Sequence, residues 1–115
     1  MSVKSETNLQ HRIQKYIESK GGYVNKNHGD MTTRPGIADL TVCYRGIYLA
    51  LEVKEGSNKP SKAQGVHARS VWKAGGFCYV VWSLDEVKLI LNQLDKIKLI
   101  VDPVDTLNID DGTKW

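Results

Sequence analysis

Two strand-like runs, Ile37–Tyr44 and Ile47–Lys54, meet at Arg45-Gly46. Apolar and β-branched runs of this length, separated by two residues that include a glycine, read as the arms of a β-hairpin. With a two-residue turn, Tyr44 faces Ile47, and each step away from the turn pairs the next residue on either arm. Asp39 then stands opposite Glu52. Directly opposed residues carry their Cβ atoms about 4.5–5.5 Å apart on one face. Alternation along each arm gives one apolar face of Ala38, Leu40, Val42, Tyr44, Ile47, Leu49, Leu51 and Val53. The other face holds Asp39, Thr41, Cys43, Tyr48, Ala50, Glu52 and Lys54. All three charged groups are thus on one side. Arg-Gly is not the favoured pair for such a turn, and a slip of one residue would separate the carboxylates.

The flanking segments fill in a single α/β domain, as expected for 115 residues. Residues 6–20 have a helical apolar wedge of Leu9, Gln10, Ile13, Tyr16 and Ile17, closed by Gly21-Gly22. Tyr23–Lys26 reads as a short strand and Asn27–Gly36 as a loop. After the hairpin come a second loop, a helix over Ser61–Ala74, an apolar strand Phe77–Trp82, and a helix opened by Ser83-Leu84-Asp85-Glu86 and running to Leu94. Lys96–Val101 is expected to form a last strand. The order α-β-β-β-α-β-α implies a central mixed β-sheet flanked by helices, with a domain over residues 1–101 and an acidic C-terminal tail over 102–115.

That tail holds four acids and one base; the remaining body has 15 bases and 9 acids, or +6. A basic body suits a nucleic-acid partner. The N-terminus is polar and no apolar run approaches membrane length, which leads to the expectation of a cytoplasmic protein. Cys43 and Cys78 lie in apolar runs without a CxxC spacing and are expected to be buried, reduced thiols.

Paired carboxylates beside a lysine can hold a divalent metal and set water against a phosphodiester. The bland reading of Glu52-Val53-Lys54 is a solvated cross-strand ion pair. Against it, two opposed carboxylates repel unless protonated or metal-bound, and both lie in otherwise apolar runs. Glu6 falls about 20° from Ile13 at 100° per residue, inside the apolar wedge of the first helix. It is either a first-turn glutamate favoured by the helix dipole or a third metal-facing carboxylate. Gln10, one turn on, is in position to support a ligand or a metal-bound water.

The pattern Gly36-Ile37-Ala38-Asp39, twelve residues, then Glu52-Val53-Lys54 resembles the PD-(D/E)xK nuclease superfamily. Glu6 on the first helix and Gln64 on the helix after the lysine strand make it similar to the VRR-NUC branch, itself similar to Holliday-junction resolvases. One departure is Ala38, where many members of the superfamily have proline. The resemblance implies a restriction-endonuclease-like core and metal-assisted hydrolysis. Glu6, Asp39, Glu52 and the Val53 carbonyl would bind Mg2+ or Mn2+, Lys54 would orient water or stabilise developing charge, and Gln64 would assist. Ser61-Lys62-Ala63-Gln64 also has the form of a capping box, so one amide is asked to serve either the helix start or the site.

Lys26, His28 and Arg34 decorate the loop before Asp39. Lys59, Lys62, Arg69 and Lys73 lie on or beside the following helix. Together they fit contacts to a phosphate backbone, and no recognition helix for reading bases is evident. The resemblance leads us to expect a homodimer acting on branched DNA, such as Holliday junctions or flaps, in a bacterial or phage-infected cell. The alternatives are a restriction-type or single-strand nuclease, or a non-catalytic nucleic-acid-binding module of the same fold.

Overall fold

The computed structural model describes residues 3–28 and 35–98. Seven elements follow in the order α1 (Val3–Ser19), β1 (Tyr23–Lys26), β2 (Leu40–Tyr44), β3 (Ile47–Val53), α2 (Lys62–Lys73), β4 (Phe77–Val81) and α3 (Leu84–Leu94). The sheet runs β1-β2-β3-β4. The first three strands form an antiparallel meander, and β4 joins β3 in parallel after the α2 crossover. This is the mixed, helix-flanked sheet expected from the sequence.

The two sheet faces differ as the alternation requires. Leu40, Val42, Tyr44, Ile47, Leu49, Leu51 and Val53 join Leu9, Ile13 and Ile17 of α1 and Val87, Leu91 and Leu94 of α3 in one buried core. On the opposite face, among the described residues, α2 lies over β4 and part of β3, and the β1–β2 part is left open. Cys43 stands on that open part and is exposed, contrary to the buried thiol expected; Cys78 lies under α2 and is half-buried. Trp72 extends from α2 over the edge strand, meeting Phe77 and Tyr79 edge-on and donating its indole N–H to the Cys78 carbonyl at 2.9 Å. Such a cover blunts an open edge.

The hairpin turn has the predicted length. Tyr44 pairs with Ile47 and Leu40 with Leu51, so the next step sets Asp39 opposite Glu52. Arg45 and Gly46 both take positive φ, 53° and 80°, as a tight hairpin turn with the right twist requires. This conformation disfavours arginine by about 1–2 kcal/mol. The side chain supplies an offset: its Nη1 donates to the Leu94 carbonyl at 2.7 Å and the Ile97 carbonyl at 3.2 Å, at the end of α3. Beside it, the Tyr44 hydroxyl donates to Asp95 at 2.6 Å. Most element ends differ from expectation by a residue or a few. Strand β2 begins at Leu40 rather than Ile37, because side chains take over the bonds before it. Lys96 belongs to a turn, with no strand through Ile97 and Lys98; residues 99–101 and the tail at 102–115 lie outside the described residues.

Candidate active site

Where the ladder of β2 and β3 ends, carboxylates replace backbone groups. The Asp39 N–H donates to Glu52 Oε1 at 3.2 Å, and the Val53 N–H donates to Asp39 Oδ2 at 2.8 Å. Each acid therefore holds the other's strand, which explains why regular pairing stops one residue short of them. Asn27 braces the same point: its N–H donates to the Asp39 carbonyl at 2.8 Å, and its Nδ2 donates to the Ala38 carbonyl and Thr41 Oγ1 at 2.8 Å each.

Glu52 is 4% exposed. Its carboxyl pKa is raised, first by burial and then by the neighbouring Asp39 charge; Lys54 acts in the opposite direction without cancelling them. Lys54 Nζ lies 3.1 Å from Glu52 Oε2. Both partners are largely shielded from solvent, so this is not the loose, solvated pair of the bland reading.

Gln64 reaches the same oxygen. Ser61 and Gln64 form a reciprocal capping box, with the Ser61 N–H donating to Gln64 Oε1 at 2.7 Å and the Gln64 N–H donating to Ser61 Oγ at 3.1 Å. Meanwhile Gln64 Nε2 donates to Glu52 Oε2. The expectation that one amide must choose between cap and site is thus corrected: its oxygen caps the helix and its nitrogen faces the carboxylate.

Gly36 makes this docking possible. Its φ is +79°, and a Cβ there would come within 2.2 Å of the Ala63 carbonyl oxygen. The segment leading to Asp39 therefore lies directly against the first turn of α2. A cavity of about 180 Å³ opens beside it, lined by Glu52, Gln64, His67, Cys78 and Val80 among others. Burial and the Glu52 charge raise the Cys78 thiol pKa.

Glu6 stands half-buried near the start of α1. Among the described residues no group of three or more His, Cys, Asp or Glu is arranged to hold a metal. Gln10 is buried, and its Oε1 has no partner among the described residues. Lys26, Lys59, Lys62, Arg69 and Lys73 are all exposed, the last three on α2; Arg34 lies outside the described residues. Sequence reasoning missed two residues here. Asn27 was read only as loop, although its place just before the hairpin partner was a signal. His67 is not singled out by the sequence pattern, although it lies one helical turn from Gln64.

The arrangement is two adjacent carboxylates, a lysine and an amide at one end of a sheet. Comparison with solved structures finds the same architecture. One, titled "VRR_NUC domain", is 28% identical with a TM-score of 0.65, covering 76% of this chain and 94% of its own. A second, titled "VRR_NUC domain protein", is 18% identical with a TM-score of 0.61, covering 76% of this chain and 85% of its own. The fold is that of the VRR_NUC domain structures. No family model matches the sequence, and no curated protein matches it. Among the described residues no helix is long and apolar enough to cross a membrane.

Proposed function

We propose that this chain is a divalent-metal-dependent DNA endonuclease that hydrolyses phosphodiester bonds, acting as a homodimer on branched DNA such as Holliday junctions or flaps. The observation that carries this reading is the Asp39–Glu52 pair, cross-linked through backbone N–H groups, with Lys54 at 3.1 Å from Glu52. The structural neighbours titled as VRR_NUC domains support it.

The donor set fits Mg2+ or Mn2+. Carboxylate oxygens suit hard cations, and magnesium is commonly held by one or two carboxylates together with water and substrate phosphate. The raised Glu52 pKa is a cost that a nearby cation relieves. Asp39 and Glu52 would hold the ion, with the Val53 carbonyl and Glu6 as further candidate ligands. When bound, the metal supplies charge neutralisation at the phosphate and acidifies a water. The chain's own residues do the rest. Lys54, positioned by Glu52, offers a cationic donor to the oxygen on which charge develops. Gln64 keeps Glu52 oriented toward the cleft. Exposed Lys26, Lys59, Lys62, Arg69 and Lys73, with Arg34, supply phosphate contacts that carry no base specificity.

Incubation of the protein with a labelled four-way junction, a flap and a linear duplex, with and without Mg2+, tests the reading. Metal-dependent cleavage of the branched substrates, lost in Asp39→Asn and Lys54→Ala, is expected. Cleavage that survives those substitutions would overturn the site. Retained DNA binding without cleavage in either Mg2+ or Mn2+ would identify a non-catalytic binding module instead.

A further inference from the structure

A second cavity, of about 310 Å³, lies further along α2 and is lined by Tyr48, His67, Ser70, Val71, Ala74 and Gly76. His67 lines both this cavity and the smaller one beside Glu52 and Gln64. The two therefore adjoin as one groove between α2 and the sheet. His67 Nε2 is buried and has no hydrogen-bond partner among the described residues. Leaving a buried polar atom without a partner is unfavourable, and a bound ligand's hydrogen bond would remove that cost. Tyr48 is 44% exposed and is set in place by close packing on Gly76, where a Cβ would meet its ring at 3.1 Å. It lies four residues before Glu52 on the same strand face, roughly 13 Å away at about 3.3 Å per residue.

Two chemistries therefore line the groove, an aromatic face and a buried imidazole nitrogen, and exposed cations stand elsewhere on α2. The guanidinium of Arg69 folds back over Gly65, toward the end of α2 that carries Gln64, and Lys73 lies one turn further on. Aromatic faces with flanking cations are the common means of holding single-stranded nucleic acid. The volume is at the lower end of the roughly 300–1,000 Å³ typical of small-ligand pockets, which suits one base rather than a duplex.

We propose that this groove seats an unpaired nucleotide of the substrate strand, its base against Tyr48 and hydrogen-bonded by His67 Nε2, next to the phosphate at Asp39, Glu52 and Lys54. The assignment rests on the nuclease reading of that site and deepens it: the preferred substrate carries a single-stranded segment beside the cut.

Binding of the full chain in chelating buffer, read by fluorescence anisotropy, tests the groove separately from cleavage. The probes are a blunt duplex and the same duplex bearing a short single-stranded flap with 2-aminopurine near the junction. Tyr48→Ala should weaken flap binding about five-fold or more, as loss of base–aromatic stacking does, while changing duplex binding less than two-fold. It should also restore the 2-aminopurine emission that stacking quenches. Tyr48→Phe should bind as the parent does. His67→Ala should weaken flap binding while changing duplex binding less than two-fold. Equal losses on both probes, or no loss, would overturn the proposal. A change of oligomeric state in Tyr48→Ala would also overturn it, by assigning this face to a second copy of the chain. Flap preference that persists in a protein unable to cleave with Mg2+ would keep the groove and sink the nuclease reading. Cleavage without the preference would do the reverse.

Discussion

The side-chain amide of Gln64 closes the start of α2 with its oxygen and orients Glu52 with its nitrogen, so helix stability and site geometry share one group. Two substitutions separate these roles. Ser61→Ala removes the cap alone and should cost about 0.5–2 kcal/mol, leaving activity per folded molecule near the parent's. Gln64→Ala should cost a similar amount and also lower kcat, and kinetics below the melting range distinguish the two. Glu52 carries a second residue-level expectation. Its pKa lies above the ordinary 4.5, so the folded protein holds this proton at pH values where the unfolded chain has released it. Stability from this group is highest below pH 4.5, falls as pH rises through the window up to the raised value, and stays low above it. Glu52→Gln should therefore melt above the parent in metal-free buffer at pH 7, with the gap closing in acid, while losing activity.

At the scale of elements, the hairpin was readable in advance because its register depends only on turn length and alternation. The Asp39–Glu52 pairing followed from those alone. The support for that register was not readable. Arg45 tolerates a left-handed backbone because its guanidinium reaches carbonyls 49 and 52 residues away, and no local pattern encodes such a contact. The exposure of Cys43 is likewise non-local, since it depends on where α2 stops covering the sheet, and the Asn27 brace joins residues 11 and 14 apart in sequence. Arg45→Ala should cost about 1.5–3 kcal/mol, the range for hydrogen bonds to charged groups, as read by chemical denaturation. Arg45→Asn should recover part of that loss, since asparagine tolerates positive φ. The contact between Gly36 and α2 is similarly demanding. Gly36→Ala adds a strained φ and a backbone clash, and a loss of at least about 2 kcal/mol is expected, with the same measurement as check.

For the whole molecule, the division of labour between faces is the main result: α1 and α3 bury one face for stability, and α2 half-covers the other, leaving a cleft with two acids at one end. A cation bound there only in the folded state stabilises by mass action, about 1.4 kcal/mol at ten times its Kd. Thermal melts should therefore rise with Mg2+ or Mn2+ in the parent and stay flat in Asp39→Asn. The Arg45 contact with Leu94 has a consequence for synthesis. Asp39, Glu52, Lys54, Gln64 and His67 have all been made well before the ribosome reaches α3, yet the turn that aligns the two acids is anchored on the end of α3, by Arg45 at the carbonyls of Leu94 and Ile97 and by Tyr44 at Asp95. A chain interrupted earlier carries every one of those site residues and lacks the clasp that holds them in step. On the proposed nuclease reading, an aligned pair of acids would then arrive only once α3 has been made, and shorter fragments would lack it.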